Sequence, residues 1–139
     1  MNIITFKVNF KTAGYGELKD ITDIVQGKIL ETNFKEGNIL IFAQGSTTAL
    51  TTLEFESGLI KDFKDLLEKI APPDFDYHHN RKWNDGNGHS HLVSALFKTS
   101  LTVPFLNRKL LLGTWQQIVF IECDNRSRQR ELIVQVTGH

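Results

Sequence analysis

"NILIFAQGSTTALTTLEFESGLIKDFKDLLEKI", residues 38–70, is the stretch that decides what kind of fold this chain can have. Its first two parts, "NILIFAQG" and "TTALTTLEF", are β-branched or apolar runs separated by Gly45, and they read as two neighbouring strands. The pattern then changes period. Leu59, Ile60, Phe63, Leu66, Leu67 and Ile70 recur at the spacing of one helical face, Ser57 stands where a cap is needed, and "APP" at 71–73 ends the helix. Two strands followed directly by a helix, rather than strand and helix in alternation, point to an α+β domain with a mixed or antiparallel sheet.

The flanks agree. In "IITFKVNF", Ile4, Phe6, Val8 and Phe10 alternate with Ile3, Thr5, Lys7 and Asn9, which predicts a strand with one buried face. Thr22 is placed to cap a second helix through "DIVQGKILET", weakened by Gly27. Four further strands are expected in "LTVPF", "KLLLG", "WQQIVFIEC" and "RELIVQV", around two main helices. With 139 residues, 40% of them hydrophobic, the chain suits one domain spanning residues 1–139.

Charge and composition exclude several partners. Sixteen basic residues balance sixteen acidic ones, so no global field favours nucleic acid or an anionic membrane. The longest apolar run, "ILIFA" at 39–43, is far below the roughly 20 residues of a membrane helix. "MNIITFKVNF" carries Lys7 and no small-residue cleavage pattern, so a secretory signal is not expected and a cytoplasmic location is. Cys123 is the single cysteine and cannot form an internal disulfide.

Between Pro72 and Ser90 the apolar rhythm stops for roughly 18 residues, a length that in a compact domain usually marks function or disorder. Phe75, Tyr77 and Trp83 argue against disorder. Here "NDGNGHSH" supplies His89 and His91, which on an extended segment would project to one side and share a metal ion. His78 and His79 lie about ten residues earlier. Asp85 lies between, and three imidazoles with an open position would suit zinc. The alternative is a set of solvated loop histidines. In "DNRSRQRE", an extended backbone would put Arg126, Arg128 and Arg130 on one face as an anion site, or leave them paired with acidic neighbours. Thr47 and Thr48, after Gly45, can donate to phosphate oxygens, although no P-loop pattern is present. Glu54 is open to reading as a metal ligand, a general base or a helix-dipole partner.

Taken in order, "GSTTALTTLE", "YHHN" with "DGNGHSH", and "LLLGTWQQIVFIECDNR" with its trailing Arg-x-Arg resemble the YjbQ-like family, small proteins described by analogy as secondary thiamine-phosphate synthases. The resemblance runs from about Ile21 to Gly138, and "GTWQ" at 113–116 is its most specific piece. It implies an α+β homotrimer with a histidine-lined pocket and a transferase-like activity, joining an aminopyrimidine diphosphate to a thiazole phosphate.

Carried over residue by residue, the family's Tyr-x-His falls on Tyr77 and His79, leaving His78 as the spare histidine. Its glutamate falls on Glu54, its acidic-Gly-Asn on Asp85, Gly86 and Asn87, and its next histidine on His91. Many members carry a histidine where this chain has Gly45, and lack one at His89, so His89 is expected to replace the missing ligand. The chain also has Leu53 in place of an asparagine. The resulting expectation assigns His79, His89 and His91 to a divalent metal, with zinc first and magnesium an option beside a diphosphate. Glu54 and Asp85 would move protons, while Thr47, Thr48, Asn87, Gln116, Arg128 and Arg130 bind a small phosphorylated molecule. Tyr77, Trp83 or Trp115 would stack on a planar ring. A non-catalytic trimeric binding protein, or a metal-dependent phosphoester hydrolase, would use the same pocket.

Overall fold

The computed structural model describes residues 1–139. Its elements run β1 (Asn2–Lys11), β2 (Leu18–Asp20), α1 (Thr22–Leu30), β3 (Glu36–Ala43), β4 (Thr48–Leu53), α2 (Ser57–Ile70), α3 (His78–Trp83), α4 (Gly88–Phe97), β5 (Ser100–Leu106), β6 (Lys109–Leu110), β7 (Gln117–Glu122) and β8 (Gln129–Gly138). Two sheets form, one ordered β1-β8-β3-β5-β6 and the other β2-β7-β4, and every strand pair is antiparallel. The α+β class therefore holds, with four helices instead of two main ones.

β7 explains the layering. Its run "IVFI" is apolar without alternation, as befits a strand covered on both faces. Ile118 and Phe120 enter one hydrophobic cluster, shared with β3, β8 and α1, while Val119 and Ile121 enter another, shared with Leu67 of α2 and Val93 of α4. The small sheet is thus sandwiched between the large sheet and the helices. β8 alternates instead, burying Leu132, Val134 and Val136 against the first cluster. Phe6, Val8 and Phe10 of β1 pack on the same cluster, and Phe10 meets Phe120 edge-on at 5.0 Å. Ile4 lies at the more open end of that strand.

Helix starts differ from expectation by one residue. Glu56, not Ser57, caps α2, its carboxylate accepting the Gly58 and Leu59 amides at 2.8 Å each. Thr22 is the first residue of α1, and Asp20 accepts both its amide and its hydroxyl. Expected strand "KLLLG" shrinks to two residues, and "WQQIVFIEC" begins at Gln117 because the preceding Gly113–Gln116 turn holds Trp115 out in solvent.

Candidate functional site

The largest departure lies between Pro72 and Ser90, where two short helices replace the expected loop. Asn84 adopts the left-handed conformation (φ 54°, ψ 34°) and ends α3, and Gly86 (φ +68°) completes the reversal. α4 then starts against α3. The side chain of Asn80 accepts the Gly88 amide at 2.8 Å, and a Cβ at Gly88 would stand 2.8 Å from the Tyr77 Cβ, so only glycine permits this approach. Tyr77 is anchored by its hydroxyl donating to the Pro72 carbonyl (2.9 Å) and by Phe75 at 5.0 Å.

Because His89 and His91 lie on a helix, two positions turn through about 200°, so they face opposite ways. His91 turns toward α3, where its ring lies 4.6 Å from that of His79. Asp85 Oδ1 lies 3.6 Å from His79 Nε2. Asn87 fits its neighbours with its amide nitrogen toward them, donating to Asp85 Oδ1 (2.9 Å) and Oδ2 (3.1 Å) and to His79 Nε2 (3.1 Å). His79, Asp85, Asn87 and His91 therefore form one cluster, and His79, Asp85 and His91 remain partly open to solvent.

His89 belongs elsewhere. It is 2% exposed and lies edge-on to Tyr15 at 4.7 Å. Burial holds its pKa below the ordinary histidine value, against the opposing pull of the Asp124 charge. Its Nδ1 and the Tyr15 hydroxyl are buried without partners, and burial foremost pushes the Tyr15 phenol up to about 12. The expected His79–His89–His91 ligand set thus does not converge, and no group of three or more His, Cys, Asp and Glu side chains is placed to hold a metal ion. His89 is no substitute for a histidine at position 45. His78 is exposed at the start of α3.

The arginines are corrected as well. Arg130 is buried and forks onto Glu122, donating from Nε to Oε2 at 2.8 Å and from Nη2 to Oε1. Nη2 also donates to the Thr47 carbonyl (3.2 Å) and hydroxyl (2.9 Å). Glu122, fully buried, further accepts the Thr12 hydroxyl (2.6 Å) and the Asp124 amide (3.0 Å). Arg128 donates from Nε (2.7 Å) and Nη2 (2.6 Å) to Asp124 Oδ2, which the Thr47 hydroxyl also approaches at 3.3 Å. Burial opposes charge on Asp124, yet the Arg128 and Asn125 hydrogen bonds hold its carboxyl below the usual range. Arg126 is exposed in the turn. The pair expected to grip an anion is therefore neutralised by Glu122 and Asp124, the acidic alternation in "IECD" that answers Arg-x-Arg across the β7–β8 turn. Thr48 makes only a long contact (3.5 Å) from its hydroxyl to the Gly45 carbonyl.

Glu54 and Gln116 occupy the other end of the small sheet. Thr48 pairs with Glu122 and Leu53 with Gln117, so Glu54 is separated from the Thr48 end by the length of β4, about 17–20 Å. There Glu54 shares a cavity of about 380 Å³ with Trp115, while Gln116 bonds the Gly113 amide and the Thr52 hydroxyl. Within one chain, Glu54 and Asp85 do not form a common site. Trp83 is exposed at the end of α3. No helix is long and apolar enough to cross a membrane.

Known proteins resemble this chain in sequence and fold. The UPF0047 protein YjbQ-like family model matches residues 6–139. A UPF0047 protein of Methanothermobacter thermautotrophicus is 38% identical over 138 residues, spanning 99% of this chain and 94% of its own. One from Archaeoglobus fulgidus is 39% identical over 129 residues, spanning 93% and 98%. A Sulfolobus solfataricus crystal structure, described as a YbjQ-like protein of unknown function, superposes with a TM-score of 0.89 at 29% identity, covering 99% of this chain and all of that one. A yjbq/upf0047 structure from Clostridium acetobutylicum gives 0.86 at 30% identity, covering 95% and 99%. With the family model matched over nearly the whole chain and relatives of this identity covered almost end to end, the chain belongs to the YjbQ-like UPF0047 family.

Proposed function

We propose that the His79–Asp85–Asn87–His91 cluster binds a small phosphorylated molecule and, in an assembled homotrimer, supports a thiamine-phosphate-synthase-like transfer. The carrying observation is the meeting of His79 and His91 at 4.6 Å beside Asp85, partly open to solvent and fixed by neighbours that need no ligand. In such a transfer the aminopyrimidine carbon loses its bond to the diphosphate and gains one to the thiazole nitrogen, releasing pyrophosphate. The two imidazoles are the donors placed to stabilise the departing diphosphate, and Asp85 orients His79 through Asn87.

Trimerisation enters because Glu54 stands at the opposite end of the sheet. Head-to-tail contacts join opposite ends of successive subunits and can close into a ring, which would return Glu54 and Trp115 of one copy to the histidines of another. A divalent ion would arrive with the diphosphate, since no three-histidine cage is preformed. Single-turnover pyrophosphate release from an aminopyrimidine diphosphate and a thiazole phosphate tests the proposal. Release is expected from the intact protein and a loss of about a hundredfold from His79→Ala. Equal release from both, or none from either, would overturn it. Capture without turnover is the second reading, favoured by the distance between Glu54 and Asp85 in one chain; it predicts saturable binding with no pyrophosphate released.

A further inference from the structure

With Arg128 and Arg130 committed to carboxylates, the proposed ligand's phosphate needs another seat. We propose that it lies in the cavity of about 320 Å³ beside His91, held by Gly45 and Ser46 of the turn and by Lys98, all of which line it. This rests on the proposed function for its ligand class, and assigns the phosphate to residues outside the arginine pair.

Four observations carry it. The amides of Gly45, Ser46 and Thr47 make no hydrogen bond within the chain, and successive free amides in a turn form an anion-binding concavity. Lys98 lines the same cavity and forms no ion pair with any acidic side chain. The hydroxyls of Ser46 and Thr99, also in the lining, have no partner in the chain, whereas that of Ser94 donates to the Thr48 carbonyl at 2.5 Å and serves as fixed wall. His91 is part of the lining too, so the cavity is continuous with the histidine cluster and the rest of an organic phosphate can extend toward His79.

The backbone fits this role. Gly45 (φ +157°) leaves the turn open, and a Cβ there would come within 3.4 Å of Arg130 Nη1, so that guanidinium edge lies just behind the seat. Lys98 (φ 77°, ψ 163°) holds a conformation that is normal only for glycine and strained for a side-chain-bearing residue. It is the one lysine or arginine in the lining of the cavity. The seat suits a phosphate dianion, whether free or as the end of a diphosphate.

Amide-resolved NMR of the full chain, titrated separately with inorganic phosphate and pyrophosphate, tests this. Saturable shifts are expected at Gly45, Ser46, Thr47, Lys98 and Thr99, with pyrophosphate shifting His91 more than phosphate does if the seat takes a diphosphate end, and phosphate alone sufficing if it takes a monoester. Lys98→Gln should weaken binding about tenfold or more, while Lys61→Gln, removing the same charge from α2, should not. Lys98→Gly should weaken it equally yet raise the melting temperature, which separates lost charge from lost structure. Shifts at His79 and His91 that spare Gly45–Thr47 would overturn this seat while leaving the ligand class standing. No saturable shift anywhere would overturn both.

Discussion

Around Glu122 and Arg130, each charge meets its opposite and each acceptor has a donor; around His79 and Asp85, two short helices hold polar groups that solvent still reaches. Both clusters are polar and both interrupt the apolar pattern, yet the first is closed and the second open. A buried pair that satisfies itself organises the fold, since its charges are too costly to leave alone. An open pair leaves its interaction capacity for something arriving from outside. The difference is one of completion, not of residue type.

The sharpest way to break this contrast is to open the closed cluster. Arg130→Met should cost about 3–5 kcal/mol by leaving Glu122 buried and unpaired, and Arg130→Met with Glu122→Leu should recover most of it. Urea unfolding of the three proteins measures this; equal stability of the single and double variants would deny that the lost partner is the cause. Gly88→Ala comes next, at about 1–3 kcal/mol, because its Cβ would press on Tyr77 and displace α4. It should also separate the His79 and His91 signals in NMR spectra.

His89 sharpens the boundary by pH. Its folded pKa is depressed, so the unfolded chain binds the proton more readily. Its contribution is present above the unfolded value of about 6.5 and is lost as pH falls through the lower folded value. Urea midpoints at pH 8, 6 and 5 should fall, and His89→Leu should flatten that fall; an unchanged slope would show that His89 is not the group responsible. Smallest of all in stability is His79→Ala, expected to shift the unfolding free energy by under about 1 kcal/mol while abolishing phosphate-ester binding by calorimetry. A large loss of stability there would place His79 in the closed cluster instead.

The strands themselves were legible because "NILIFAQG" and "TTALTTLEF" carry apolar and β-branched runs bounded by glycine, and α2 because its apolar stripe repeats with the helical turn. That β3 and β4 part into different sheets instead of lying side by side was not, since a glycine between two runs marks a turn without saying which strands it joins. α3 and α4 were not. "HHNRKW" and "GHSHLV" have weak helix formers and no apolar stripe at their starts, and they are held by tertiary contacts from Tyr77 and Asn80 that no local pattern announces. Missing that helix inverted the reading of His-x-His, since a strand aligns alternate residues and a helix opposes them. The arginine reading failed for another reason. Glu122 and Asp124 stand eight and four residues before their partners Arg130 and Arg128, where only the β7–β8 reversal reveals that they meet. Lys98, Ser46 and Thr99 had no signal beyond their proximity to recognised segments.

β7 has a consequence for how the molecule comes apart. Its alternate residues belong to two different hydrophobic clusters, so neither cluster can loosen without exposing one face of the same strand. Melting of the helical layer alone is thereby penalised, and the two layers are bound into one cooperative unit. The amides of Val119 and Phe120 should be among the last to exchange with deuterated solvent, at the rate set by global unfolding.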